Sequence, residues 1–200
     1  TVAILAQAKS ISAAEMQMRK VSVALLVLSI GTTASPWTHQ IGKSDHDYAR
    51  GGLKADSDGN VLVAGYTDGD LTDDWTNAGE RDAFIVKLNS DGVEIWSKFV
   101  AGSGQDYLKA LQVDSEDNVF AAGYTYSAVL DGESTPSGDG TGDAFITKLD
   151  GSTGSTIWTR LYGASGGNQH GKALEVGSAG NAFLLGETQV SLEGKPYNGG

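Results

Sequence analysis

The chain repeats itself, and a repeat leaves fewer folds open than any single residue in it. DSDGNVLVAGYT (residues 56–67) returns as DSEDNVFAAGYT (residues 114–125) and again as GSAGNAFLLGET (residues 177–188). In phase with it, DAFIVKLN begins at Asp82 and DAFITKLD at Asp143, and a tryptophan follows at Trp96 and Trp158, with an earlier echo at Trp37. The spacing is 58 residues from Gly65 to Gly123, 63 from Gly123 to Gly186 and 62 from Trp96 to Trp158. A period of this length with several strand-like runs inside it marks an array of supersecondary units.

In the first unit the runs fall at residues 52–56, 61–67, 83–89 and 93–100, separated by clusters of Asp, Gly, Asn and Ser that mark turns. Within residues 61–67, Val61, Val63 and Gly65 alternate with Leu62, Ala64 and Tyr66. Within residues 83–88, Phe84, Val86 and Leu88 oppose Ala83 and Ile85, with Lys87 the polar exception. Both faces are apolar or small, so these strands are expected to be covered on both sides. Face-to-face stacking of four-stranded antiparallel sheets describes a β-propeller. The expected fold is therefore all-β, with blade-like units at about 37–100 and 101–162 and a partial unit at 163–200. That third unit lacks a DAF block, so further blades are expected to close the ring. Gly59 and Gly92 sit where hairpin turns demand positive φ, and Asp117 replaces the first of them in unit two. Trp37, Trp96 and Trp158, with Gly65, Gly123 and Gly186, recur at matching positions and are expected to be structural.

Assembled in order, these residues resemble the seven-bladed bacterial-type β-propeller repeat family, the SBBP repeats. The pattern runs from Trp37-Thr38 through Ile41-Gly42, an Asp47-Tyr48-Ala49 turn, residues 56–67 and residues 82–88 to Trp96. Unit two repeats it through Asp106-Tyr107, residues 114–125, residues 143–149 and Trp158-Thr159. Unit three departs: Gln169-His170 replaces Asp-Tyr, Gly177 the aspartate and Glu187 the tyrosine. The resemblance implies a propeller and export or surface exposure. It implies no shared catalytic residues, and the expectation is a non-enzymatic scaffold that binds partners through blade loops. The alternative is part of a propeller enzyme, quinoprotein-like or a hydrolase, with its catalytic residues elsewhere.

A formal net charge of −11 argues against binding to a phosphate backbone, which needs clustered Lys and Arg. Without cysteine there is no disulfide framework, thiol nucleophile or Cys-ligated zinc. Residues 1–36 are expected to be a leader. Arg19 and Lys20 precede an apolar run at residues 21–30 and small residues around Ala34, the order of a signal peptide starting at Met16 and too short to span a bilayer. A competing reading aligns residues 23–37 with 82–96 as the worn end of a preceding blade, yet Asp82, Lys87 and Gly92 have no counterparts at Val23, Leu28 and Thr33. No other segment could cross a membrane.

Among candidate sites, Asp56, Asp58 and Asn60, with Asp114 and Glu116, could present oxygens to calcium. The glycine stands before Asn60 and no bidentate Glu follows, so the preferred role is turn formation and no cofactor is expected. The loops between second and third strands are acidic, with Asp68, Asp70, Asp73 and Asp74 in one and Asp131, Glu133 and Asp139 in the other. They are expected to be solvated insertions on one rim, which is where a protein or glycan would bind. Asp150, Thr153, Gly154 and Trp158 match the docking motif of quinoprotein-like propellers, a blade lock rather than a redox site. His39, His46 and His170 have no metal-ligand spacing.

Overall fold

Short apolar runs broken by Asp, Gly and Asn leave the backbone few ways to satisfy its hydrogen bonds except sheet ladders. The computed structural model describes residues 24–25, 37, 39–42, 46–71 and 77–192, and holds fourteen strands and no helix among them. β1 (Ala24–Leu25) pairs with β2 (His39–Gln40). β3 (Asp47–Ala55), β4 (Val61–Thr67), β5 (Asp82–Leu88) and β6 (Glu94–Val100) form one four-stranded antiparallel sheet in chain order. β7 (Asp106–Val113) and β8 (Val119–Thr125) lead into a small hairpin, β9 (Val129–Leu130) with β10 (Glu133–Ser134). β8 then pairs with β11 (Asp143–Leu149), and β11 with β12 (Thr156–Tyr162), which completes a second such sheet. β13 (Gln169–Val176) and β14 (Ala182–Thr188) pair in the third unit.

The units stack as propeller blades do, with β3 against β7 and β7 against β13, so the first strands lie innermost. Alternation along each strand sends successive side chains to opposite neighbours. Ala83 and Ile85 of β5 join Leu62, Trp96, Leu108, Val119, Phe145 and Leu149 in the core between units one and two. Phe84, Val86 and Leu88 enter a separate core with Ile41 and Trp37. Likewise Val119 and Ala121 of β8 face unit one, whereas Phe120 and Ala122 pack with Ile146, Leu174 and Leu184 toward unit three. Phe120, Phe145, Ile85 and Leu88 are wholly buried, each stabilising the stack by about 1.5–3 kcal/mol.

Three details differ from the sequence expectation. The first strand is longer than residues 52–56, because Asp47-Tyr48-Ala49, expected to turn, already belongs to β3. Second, each first strand breaks register opposite the repeated glycine: between Tyr48 and Gly52, between Leu108 and Ala110, and between Gly171 and Ala173. Gly65, Gly123 and Gly186 leave room for that displaced backbone. A methyl group on Gly123 would overlap the Tyr107 carbonyl oxygen, and one on Gly65 the Tyr48 carbonyl. Third, the acidic loops are anchored at their starts, although Glu133 and Asp139 of the second are exposed. Leu71 and Leu130, four and five residues beyond Thr67 and Thr125, dip back into the cores against the preceding blade. Asp131, at the tip of β9–β10 with φ 49°, accepts from Lys98 at 2.8 Å and from Thr156 at 2.7 Å, which fastens β6 to β12.

The leader expected at residues 1–36 lies outside the described residues except for Ala24 and Leu25. These pair with His39–Gln40 much as β5 pairs with β6. No helix among the described residues is long and apolar enough to cross a membrane.

Candidate functional site

The acidic turns hold the carboxylates that could present oxygens to a metal. Asp56 accepts from the backbone N–H groups of Asp58 at 3.1 Å and Asn60 at 2.8 Å, and from the Asn60 amide at 2.8 Å. Its other partner is Lys87, 2.7 Å away, with both side chains nearly buried. Burial pushes the Asp56 carboxyl up, but the bonds from Lys87 and Asn60 outweigh it and hold the group below its usual range. Asp114 repeats this with Asn118, Glu116 N–H and Lys148 at 3.1 Å. Asp58 and Glu116 point to solvent. The arrangement is an Asx turn locked by a lysine from the third strand, and both carboxylates are occupied by donors. Among the described residues no group of three or more His, Asp or Glu side chains is placed to hold a metal ion.

Lys87 does a second job. Its ammonium and the Trp96 indole N–H both donate to the Gly151 carbonyl of the next unit, at 2.7 and 3.1 Å. Trp37 donates in the same way to Ser90 of unit one at 2.8 Å. In each case the ring lies on a turn glycine with positive φ, Gly92 (+79°) under Trp37 and Gly154 (+72°) under Trp96, where a methyl group would strike the indole. The Asp150–Gly154 turn is thus a lock, but it receives the tryptophan of the preceding unit and not Trp158. The shorter Asn89–Gly92 turn does the same work. Trp158, half-buried, meets Phe120 edge-on at 5.9 Å and carries Arg160 over its ring. His39 contacts the Gly92 carbonyl at 3.0 Å.

The rim is stitched from unit to unit. The backbone N–H groups of Glu80 and Arg81 donate to the Gly104 carbonyl, that of Asp106 to the Arg81 carbonyl, and that of Gln169 to the Gly142 carbonyl. Asp68 pairs with Arg81, Asp70 accepts from Asn77 at 3.0 Å, and Asp139 accepts from Thr141 and from Gly166 across the unit boundary. Those bonds hold Asp139 down at about 2. Glu133 is exposed, and Asp73 and Asp74 lie outside the described residues. Inside this rim runs a row of rings that sequence reasoning did not connect: Tyr48–Tyr66 at 4.9 Å, Tyr66–Tyr107 at 4.9 Å, Tyr107–Tyr124 at 4.7 Å and Tyr124–His170 at 3.9 Å. Its signal is the Asp-Tyr that heads the first strands of units one and two, with Gln169-His170 in its place in unit three.

Stacked four-stranded sheets, a recurrent tryptophan lock and a recurrent Asx turn now stand together. Residues 37–72 match the family model described as SBBP, beta-propeller repeat. The chain carries an SBBP propeller repeat. No curated protein matches it. In this SBBP frame the aspartates that open the first and third strands deserve a reason, since Asp47, Asp82, Asp106 and Asp143 are all buried. In blade two, Asp106 accepts from Thr125 and Ser127 hydroxyls and from Gly102 N–H, and Asp143 from Ser137, so the carboxylates tie each strand start to the loop beside it.

Burial pushes the Asp106 carboxyl up to about 6 despite those bonds, with the neighbouring Asp82 charge adding to the rise. A folded-state value above the unfolded 3.8 means a contribution to stability that is complete below pH 3.8 and lost as pH rises through about 6. Its size is on the order of 3 kcal/mol. Asp106→Asn is therefore expected to gain on the parent between pH 4 and 7 in denaturant unfolding. A parent-to-variant difference that stays constant over that range would show Asp106 to titrate normally.

Proposed function

We propose that this β-propeller repeat scaffold is non-enzymatic, belongs to an exported or surface protein, and contacts a partner protein or glycan through its rim connectors. The observation that carries this reading is the unit-to-unit stitching, in which Arg81, Gly104, Gly142 and Gln169 hold the connectors in fixed relative positions. A surface that is rigid in its backbone and free in its side chains suits recognition, because little order must be gained on binding. Ser103 and Ser165 are exposed at equivalent points of the two connectors. The recurrent polar residues, by contrast, are engaged in turns and locks, which favours scaffold over catalyst. Calcium has no part in this reading, because the Asp56 and Asp114 carboxylates already serve N–H donors and a lysine. Export is supported by the basic, apolar and small-residue order of residues 16–34, while the Ala24–Leu25 pairing speaks for the blade alternative.

Ser103→Arg/Ser165→Arg is expected to change unfolding stability by no more than the roughly 0.5 kcal/mol typical of surface changes. It is also expected to abolish binding that the parent shows on a glycan array or in pull-down from extracellular material. Parent binding that survives the double change, or a parent that binds nothing above carrier controls, removes the rim from consideration. The amino terminus of the mature protein decides export: cleavage near Ala34 supports it, and an intact residue 16–34 segment does not.

A further inference from the structure

The first strands carry another repeat that unit packing does not use. Two residues after each ring stands a cation: Arg50 after Tyr48, Lys109 after Tyr107 and Lys172 after His170. In β7 the ladder steps from Leu108–Gly123 to Ala110–Ala122, and in β13 from Gly171–Gly186 to Ala173–Leu185. Lys109 and Lys172 are thus the extra residues of β-bulges, and Arg50 lies in the irregular stretch of β3. A bulge takes a side chain out of strict alternation and re-aims it. Lys109 Nζ stands 5.2–5.4 Å from the ring centres of Tyr66, Tyr107 and Tyr124. Arg50 lies 5.2 Å from Tyr48, and Arg81 5.2 Å from both Tyr66 and Tyr107. Burial, together with the charges of Lys172, Arg50 and Arg81, holds the Lys109 ammonium below its usual range.

Five cations of the blades have carboxylate partners, Lys87 with Asp56, Lys98 with Asp131, Lys148 with Asp114, Arg81 with Asp68 and Lys172 with Glu187, while Lys54 and Arg160 form no ion pair among the described residues. Among the described residues Lys109 and Arg50 form no ion pair. Carboxylates are not scarce, since the chain has 25 acidic side chains to 14 Lys and Arg. Tyrosine faces offset part of each cation's lost hydration, but they cannot cancel repulsion among like charges gathered on one shelf. A multivalent anion would. We infer that the bulge cations Arg50, Lys109 and Lys172, with Arg81 and the tyrosine row, bind a small multivalent oxyanion of the phosphate or polycarboxylate kind on the first-strand side of the blades.

The test is calorimetric titration of the full chain with inorganic phosphate and with citrate at constant ionic strength. Saturable binding of either is expected in the parent and in Lys54→Gln, a cation of β3 outside the shelf. Lys109→Gln should weaken it about tenfold or more, and Lys109→Arg should keep it. Should Lys109→Gln fail to fold, Lys172→Gln, whose side chain is exposed, serves the same comparison. No saturable heat with either anion overturns the inference, as does binding that is equal in the parent and the glutamine variants. Stabilisation that merely rises with salt, as excluded ions produce on any protein, overturns it too.

Discussion

Trp96→Ala is expected to lower stability by about 3–5 kcal/mol, the range for removing a buried aromatic side chain, and the melting temperature by roughly 10 °C or more. Trp96 is 8 % exposed, fills the core between units one and two, and donates to the Gly151 carbonyl beside Lys87. Losing the ring opens a cavity and exposes the Lys87–Asp56 pair to water. Two companions separate these contributions. Trp96→Phe keeps most of the volume and loses the N–H, so it should lose about 1 kcal/mol through the hydrogen bond together with a smaller packing deficit. Trp158→Ala should cost distinctly less than Trp96→Ala, because that ring is half-buried. Equal costs at Trp96 and Trp158 in denaturant unfolding would mean that the tryptophan is merely apolar filling.

Gly123→Ala is the second severe change. The added methyl group meets the carbonyl oxygen of Tyr107, a backbone atom inside a bulge, so relief requires moving β7 itself. Overpacking of this kind costs about 1–3 kcal/mol where side chains can yield, and the upper end is expected here because a strand must shift. Gly59→Ala is the control. Nothing lies within reach of a methyl group there, and only the positive φ of 79° penalises it, by about 1 kcal/mol. Denaturant midpoints that place Gly123→Ala at or below Gly59→Ala would refute the backbone-contact explanation.

Much of the fold was legible in the sequence because its causes are local. Two-sided burial of β5 shows in Ala83, Ile85 and Phe84, Val86, Leu88, and the turn chemistry shows in Gly59, Gly92 and Asp117. The missing parts are those that no local pattern encodes. A bulge is a two-against-one pairing that exists only between strands, so Lys109 and Lys172 look like ordinary alternating residues until β8 and β14 are laid beside them. The β9–β10 hairpin has two-residue strands, too short for any periodicity, and Leu130 is one leucine in a polar stretch. The partner of Trp96 lies 55 residues away in the next unit, so the motif around Asp150 could be recognised as a lock before its key was known.

The tryptophan lock has a direction. At both described joints an indole reaches forward onto a glycine turn, and Ser90–Gly92 and Gly151–Gly154 accept the same key despite their different lengths. Joints with one polarity and one standard are indifferent to which copy stands next. Gene duplication that adds or removes a whole unit would therefore meet a ready-made boundary on both sides. Selection could then act on the connectors of each copy separately, with the joint itself left unchanged.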